Sequence, residues 1–312
     1  MADETGPGLS DARRRIDRVP VVHDRVVRCL NRYKTRPYAG YLLAGPYLAY
    51  WFALFLLPLV FTLIVSGYEN VAGGTVTATL TLANYATVFA SDAYLRVLLV
   101  TVGVATVATL VAVAGAYPLA YFVAFSPRRR TGPLVAALVA ALLAGSVVRA
   151  LGWFVLLGPG APQSVGAEVL DGRLLHTSWG VTVAVASVVL PVTVLVLARS
   201  LRRVDAALVE AAYALGGSPL QSFVYVTVPL SVPGVVSATV VTFVLSMGAF
   251  AVAVFVGPAV PMLAPAVYAS TAETNWPLAA ALAVVLGGVS LALAAVRGYA
   301  VAELSVDGGD GP

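Results

Sequence analysis

Few side chains in this 312-residue chain are of the types that perform acid–base, nucleophilic or metal chemistry. It has one cysteine, Cys29, two histidines, His23 and His176, and a single lysine, Lys34. One cysteine precludes an internal disulfide and a multi-cysteine metal site, and the histidines lack the spacing of metal ligands. The sequence therefore predicts no metal site and no catalytic residue, and each histidine is interpreted as an ordinary polar residue.

Lys34 and Thr35 imitate the last two residues of a P-loop, the glycine-rich turn that binds nucleotide phosphates. Tyr33 and Arg28 stand where that motif has its two glycines. The chain is thus predicted to have no nucleotide site of its own, to use no cofactor, and not to be an enzyme.

The overall composition indicates where such a chain must fold. Hydrophobic residues make up 60% and charged residues only 11%, with a mean hydropathy of +0.90. Soluble domains carry about 25% charged residues, so this chain has too little polar surface for water. It is predicted to be an all-α, polytopic membrane protein. Six stretches reach the roughly 20 residues that a span needs: 41–65, 97–123, 134–157, 179–198, 235–257 and 277–296.

The distribution of arginines predicts the orientation. Nearly all basic residues fall in four segments that lie on one side of the predicted spans: the N-terminal arm, the second and fourth connections between spans, and the C-terminal tail. Because basic loops stay inside, both termini are predicted to be cytoplasmic. The domain organisation is then a basic cytoplasmic arm (1–40), a transmembrane domain (41–298) containing a cytoplasmic loop (199–234), and a cytoplasmic tail (299–312).

Three segments of this organisation allow a further interpretation. The first span is expected to remain as an uncleaved signal anchor. Residues 10–36 are compatible with a basic amphipathic helix on the inner leaflet or with a solvated arm. The tail from Val306 is predicted to be disordered.

The predicted spans contain no Asp, Glu, Lys or His. Ion-coupled carriers usually place such groups within the membrane, and membrane enzymes need an acid–base pair or a metal. The energy for any uphill transport is therefore expected to come from outside the chain. Arg149 is the one charged residue inside a span, and it either snorkels to the outer interface beside Trp153 or contacts a solute or gate.

The connection between the fourth and fifth spans is the most informative segment. Asp205 is a plausible N-cap for a helix that ends near Leu215, where Gly216 and Gly217 stop it. Ser218 and Pro219 then start a second helix, because they supply a cap oxygen and a residue suited to the first turn.

The second helix is predicted to end near Val226, with breaks at Pro229, Pro233 and Gly234 before the fifth span. The first helix carries an apolar stripe in a loop predicted to face water, and such a stripe favours docking of another protein. Its members are Leu208, Ala211, Ala212 and Leu215.

The spacing of residues in this loop resembles the EAA signature of the permeases of ABC importers: Glu-Ala-Ala, three residues, Gly, nine residues, Ile, one residue, Leu-Pro. Here the run is Glu210-Ala211-Ala212, Gly216 and Val226-Thr227-Val228-Pro229, with valines replacing Ile and Leu. We name residues 199–234 the EAA segment. Shorter stretches are similar to the spermidine/putrescine permease branch: 82–85, 115–121, 149–153, 190–191, 229–230, 233–234 and 275–277.

The resemblance implies a six-helix fold of the MetI-like, type I importer class in the cell membrane. It implies a second permease subunit, identical or related, two ATP-binding cassette ATPase subunits that bind the ATP, and an extracytoplasmic solute-binding protein, with no nucleic acid. The residues implied to contact the ATPase are Glu210, Ala211, Ala212, Gly216 and Pro229.

The solute and the class of protein leave alternatives open. The resemblance to the spermidine/putrescine permease branch implies a polyamine as the solute. Ferric iron, thiamine, phosphonate or opines are alternatives for the same type of ABC importer. Outer acidic residues are candidates for attracting a polycation or are merely solvated, and no substrate residue is assigned: Glu69, Asp92, Glu168, Asp171 and Glu273. An ion-coupled carrier or a membrane scaffold is the alternative of a different class.

Overall fold

The computed structural model describes residues 37–71, 75–77, 79–158 and 174–306. The interpretation of residues 10–36, together with Cys29, His23 and Lys34, lies outside the described residues, as do Glu168, Asp171 and residues 307–312. Of the described residues, 37–61 form one compact unit and those from Thr62 onward form a second.

The described residues are predominantly helical, because long apolar stretches in a bilayer must satisfy their backbone bonds internally. The helices are α1 (Pro37–Ser66), α2 (Ala83–Ala90), α3 (Asp92–Phe125), α4 (Arg128–Leu143), α5 (Gly145–Leu157), α6 (Ser178–Leu201), α7 (Ala206–Ala214), α8 (Pro219–Ser222), α9 (Val228–Met247), α10 (Phe250–Val256), α11 (Leu263–Ala272) and α12 (Trp276–Val306). A π-helical turn, Phe223–Thr227, joins α8 to α9.

A small antiparallel hairpin that the sequence did not predict follows α1. Strands β1 (Glu69–Val71) and β2 (Thr75–Thr77) pair with Asn70 opposite Val76. The amide of Asn84 donates to the carbonyls of Ser66 and Tyr68, at 3.0 and 2.8 Å. These bonds connect the start of α2 to the chain just before the hairpin.

The core of the second unit is built around α3 and α6, which pack along each other, with α9 against both. Small side chains on their facing surfaces let the backbones approach closely, as in other membrane helix pairs. The fully buried alanines of α3 and α6 include Ala105, Ala108, Ala112, Ala116, Ala120 and Ala184.

Two of the predicted spans are broken helices. The predicted span 134–157 is the pair α4 and α5, which meet at an angle of 95°. Gly145 has a φ of +73° at the junction, a left-handed conformation that glycine adopts without steric cost. The predicted span 235–257 is divided between α9 and α10 by an interruption at Gly248 and Ala249. Hydropathy alone gave no sign of either break.

Two predicted helix ends also differ from the structure. The breaks expected at Pro229, Pro233 and Gly234 are absent, and the chain stays helical from Pro219 to Met247. A proline removes one backbone donor, and a membrane helix tolerates this loss when neighbouring bonds continue. At the other end, α12 continues past the predicted span end at 296 to Val306, where the segment predicted to be disordered begins.

Within the described residues, five helices are long and apolar enough to cross a membrane, and a sixth span results if the bent pair α4–α5 counts as one. This agrees with the prediction of a polytopic helical fold with six spans.

Candidate functional site: the EAA segment

The EAA segment begins where α6 ends, and its first helix is fixed by a side-chain cap. The Asp205 carboxylate accepts a hydrogen bond from the backbone N–H of Ala207 at 2.9 Å, which satisfies a donor that lacks an intrahelical partner. The helix that follows, α7, carries Glu210, Ala211 and Ala212. The predicted N-cap is therefore confirmed.

The turn after α7 has the geometry that only glycine adopts readily. Gly216 has a φ of +87°, and its N–H donates to the carbonyl of Tyr213 at 3.0 Å. The N–H of Gly217 donates to the carbonyl of Ala212 at 2.9 Å. These two bonds form a Schellman motif, so the predicted glycine stop is confirmed.

The second helix starts with a reciprocal pair of bonds. The Ser218 hydroxyl accepts from the backbone N–H of Gln221 at 3.3 Å, and the Gln221 side chain accepts from the N–H of Ser218 at 2.8 Å. Pro219 occupies the first turn. Gln221 was missed at the sequence level, although Ser followed three residues later by Gln is the signature of a capping box.

The outer surface of the segment is apolar and unshielded by the rest of the described chain. Leu215 is 89% exposed, Tyr225 is 76% exposed and Leu220 is 71% exposed. Leu208 and Glu210 are also exposed, and Glu210 makes no ion pair with any residue that the structure describes. Exposed leucines on a short loop helix are unusual in water and are typical of a contact surface.

Phe223 connects the segment to the core, and sequence reasoning missed it. Its ring lies edge-on against Tyr117 and Tyr121 of α3, with centroid separations of 5.9 and 5.3 Å. The Tyr117 hydroxyl shares a 2.8 Å hydrogen bond with Ser231 of α9. The one available signal was the spacing of the two tyrosines, which places both on one face of a helix.

The five residues implied by the EAA resemblance divide into two groups in the structure. Glu210, Ala211 and Ala212 lie on α7, and Gly216 lies on its terminal turn. Pro229 is separated from them by α8 and the π-helical turn, and occupies the first turn of α9. Pro229 therefore belongs to the helix that carries the segment rather than to the exposed surface of α7.

Arg149 is placed on α5, beyond the bend. Its guanidinium donates to the carbonyls of Gly145 and Val188, and Trp153, one turn later, donates from its indole N–H to the Ser187 hydroxyl. Arg149 is half-buried and lines a cavity of about 350 Å³ between α5, α6 and the break before α10. Arg149 thus joins α5 to α6, and its two predicted roles, snorkelling to the outer interface or contacting a solute or gate, stay predictions.

The structure describes three of the acidic candidates, and whether they attract a solute stays a prediction. Glu69 accepts a hydrogen bond from the Thr79 hydroxyl at 3.3 Å, Asp92 lies in the first turn of α3, and Glu273 follows α11. Among the residues that the structure describes, no group of three or more His, Cys, Asp or Glu is arranged to hold a metal.

Comparison with known proteins adds three findings. Residues 116–303 match the family described as "Binding-protein-dependent transport system inner membrane component". The chain is 30% identical over 172 residues to the spermidine/putrescine transport system permease protein PotB of Escherichia coli (strain K12), covering 54% of this chain and 62% of PotB. It is 30% identical over 228 residues to the inner membrane ABC transporter permease protein YdcU of the same organism, covering 66% of this chain and 71% of YdcU.

The fold is shared with a chain from the crystal structure of a bacterial ABC transporter that imports the acidic polysaccharide alginate. The TM-score is 0.70 with 14% identity, over 89% of this chain and 99% of the other. A second structure, that transporter with an alginate pentasaccharide-bound periplasmic protein, gives a TM-score of 0.65 at 14% identity. The similarity at this identity concerns the fold.

Proposed function

Because the chain belongs to the family of inner membrane components of binding-protein-dependent transport systems, we propose that it is the permease subunit of an ABC importer whose EAA segment receives the motion of a separate ATPase. It forms part of the path for the solute and carries no ATPase site. ATP is bound by the partner subunits, two ATP-binding cassette ATPases, and a second permease subunit completes the path.

The observation that carries this proposal is the exposed elbow formed by α7 and α8. Its two helices are capped at Asp205 and Ser218, its turn is fixed at Gly216, and its outer surface presents Leu215 and Leu220. A rigid projection with an apolar surface suits a groove on another protein, because burying those side chains supplies affinity and the caps supply shape.

The residues of the elbow have distinct roles in this proposal. Glu210 offers a carboxylate to basic groups on the ATPase, Ala211 and Ala212 allow close approach, and Gly216 sets the turn. Pro229 lies in the helix that the elbow moves. Each of these residues acts by position and contact, so none is catalytic.

The elbow is joined to the transmembrane helices in a way that transmits displacement. It continues without interruption through the π-helical turn into α9, and Phe223 is held by Tyr117 and Tyr121. A pull on α7 would therefore reach α9 through the backbone and α3 through the aromatic contact. Closure of the ATPases around ATP would move the spans as rigid bodies between inward-facing and outward-facing states.

The proposed orientation places both termini and the EAA segment in the cytoplasm and the chain in the inner membrane. The supporting observation is the concentration of arginines at 128–130 and 199–203, together with the N-terminal arm. On the opposite side, a solute-binding protein would deliver the solute.

The proposed solute is a polyamine or a similar small organic solute, since PotB is named for spermidine and putrescine. The aligned region spans 62% of PotB, and the fold also serves a transporter of an acidic polysaccharide. Iron, thiamine, phosphonate and opines remain the alternatives for the same machine.

The decisive experiment is co-purification of the tagged chain with its ATPase, followed by ATP-driven uptake in vesicles with the binding protein. We expect Glu210→Lys to lose both ATPase binding and uptake while inserting normally into the membrane. Glu273→Lys is the control for membrane insertion and ATPase binding, since it reverses an exposed carboxylate outside the elbow. A chain that transports its solute without any ATPase would be an ion-coupled carrier and would contradict the proposal.

A further inference from the structure

A charged groove lies beside the elbow, between the end of α6, the start of α7 and the first half of α9. Its volume is about 520 Å³, and it shares Leu208 with the exposed surface of the elbow. The residues that matter here are Val196, Arg199, Ser200, Arg203, Leu230 and Ser237.

The groove holds two guanidinium groups that lack partners within the described part of the chain. Arg199 and Arg203 are both exposed and stand one helical turn apart, and their side chains make neither ion pair nor hydrogen bond with a described residue. Arg202, between them, instead donates to the carbonyl of Val123 at 3.1 Å near the end of α3. The Asp205 carboxylate, which also lines the groove, is engaged as the cap of α7. The groove thus retains an excess of positive charge.

The floor of the groove supplies a hydroxyl. Gly234 of α9 lies so close to Ser200 that a side chain at position 234 would overlap the Ser200 hydroxyl and its Cβ. The Ser200 hydroxyl has no hydrogen-bond partner among the described residues, so it is available to donate to an anion between the two arginines. Forked guanidinium groups and a hydroxyl form the donor set that suits a phosphate.

The remaining wall is apolar. Val196 lies on α6, and Leu230, which is exposed, lies on α9. Both helices continue from the groove as stretches that are long and apolar enough to cross a bilayer. A small soluble anion would make no contact with this apolar wall. A phospholipid has a phosphate that matches the basic part of the groove and an acyl chain that matches the apolar wall.

We propose that this groove binds the phosphate-bearing headgroup of an anionic phospholipid, with Arg199 and Arg203 on the phosphate and an acyl chain along Val196 and Leu230. Basic recesses at the ends of transmembrane helices are suited to such headgroups. The chain's own N-terminal arm is a poor occupant, because its many arginines would be repelled. Since α7 forms one wall, a bound lipid would hold the start of the elbow against α6 and α9.

The test measures lipid retained by the full chain, purified in mild detergent, after exchange with phosphatidylglycerol or phosphatidylcholine. Each basic group near an anionic lipid contributes roughly a fivefold gain in affinity, so Arg199→Gln with Arg203→Gln should weaken phosphatidylglycerol binding about 25-fold. Phosphatidylcholine binding should fall much less, because its choline group balances the charge of its phosphate. The matched control is Arg128→Gln with Arg129→Gln, which removes two exposed arginines outside the groove.

Three outcomes would overturn the inference. Equal retention of phosphatidylglycerol by the groove variant would show that the arginines do not hold it. An equal loss in the control would indicate general charge attraction, and ready displacement by inorganic phosphate would indicate a soluble anion site. Lipid retention is measured without the ATPase, so its failure would leave the proposed transport function standing, and failure of ATPase binding would leave the lipid site standing.

Discussion

Arg149 of α5 donates a hydrogen bond to the backbone carbonyl of Val188 on α6. The acceptor lies less than one turn before Pro191, whose ring nitrogen has no hydrogen to donate to the helix. The bond from Trp153 to the Ser187 hydroxyl adds a second attachment at the same level. A charged residue within a predicted span is thus used to hold a bent helix against a proline-containing one.

Loss of this attachment should destabilise the protein. We expect Arg149→Met to lower the free energy of unfolding by about 1–2 kcal/mol, since a hydrogen bond from a charged donor is worth somewhat more than a neutral one. Arg149→Lys should recover little, because a lysine lacks the fork that reaches both Gly145 and Val188. Thermal unfolding in detergent gives the measurement. Arg96→Met, at an exposed position, is the control, and an equal shift in both variants would contradict the role assigned to Arg149.

The effect of a substitution at Gly216 should depend only on how readily the new residue adopts a positive φ. A Cβ added at this position would meet no atom within 4 Å, so the φ of +87° is the only obstacle to a side chain. Gly216→Ala should cost about 1–2 kcal/mol in elbow stability and reduce uptake, while Gly216→Asn should cost less because asparagine adopts this region more readily. Uptake in vesicles and binding to the ATPase are the measurements. Equal effects of the two substitutions would show that the turn is not strained by conformation.

The close approach of Gly234 to Ser200 predicts a paired substitution. Gly234→Ala alone should push α9 away from α6 and lower the unfolding midpoint, because the added Cβ overlaps the serine side chain. Ser200→Gly in the same chain removes the obstructing atoms and should restore most of the loss. The comparison of single and double variants by thermal unfolding measures the coupling between the two sites. A double variant no more stable than Gly234→Ala would count against direct contact.

A substitution of Phe223 should distinguish binding of the ATPase from transmission of its motion to the transmembrane helices. Phe223→Ala should leave Glu210 and the outer surface of α7 unchanged, so the ATPase should still co-purify with the variant. Uptake should fall strongly, because the edge-on contact with Tyr117 and Tyr121 is lost. Phe223→Tyr, which keeps the ring, is the conservative control. If Phe223→Ala transported normally, the aromatic contact would have no part in coupling.

The elbow could be predicted from the sequence because its determinants are local. Asp205, Gly216, Ser218 and Pro219 act on backbone groups within a few residues, and the structure confirms each of them. The breaks in the third and fifth spans were missed because an interrupted apolar stretch has the same hydropathy as a continuous one. The 95° bend depends on one glycine conformation at Gly145, which composition does not reveal.

The continuity of α8 and α9 was missed because the prolines in this stretch led us to expect breaks that the helix does not have. Prolines at 229 and 233 break most helices in water, and their effect in a membrane depends on which neighbours satisfy the freed backbone groups. The partner of Phe223 was likewise beyond the sequence, because Tyr117 and Tyr121 lie about a hundred residues earlier in the chain.

The hydrogen bonds that cap the two helices of the elbow and fix its turn join residues between Asp205 and Ser222. The caps and the turn of the elbow therefore depend on local bonds, and its attachment to the long helices lies beyond them, at Phe223 and in α9. During a transport cycle the elbow would keep one shape for its groove on the ATPase while the transmembrane helices attached to it move.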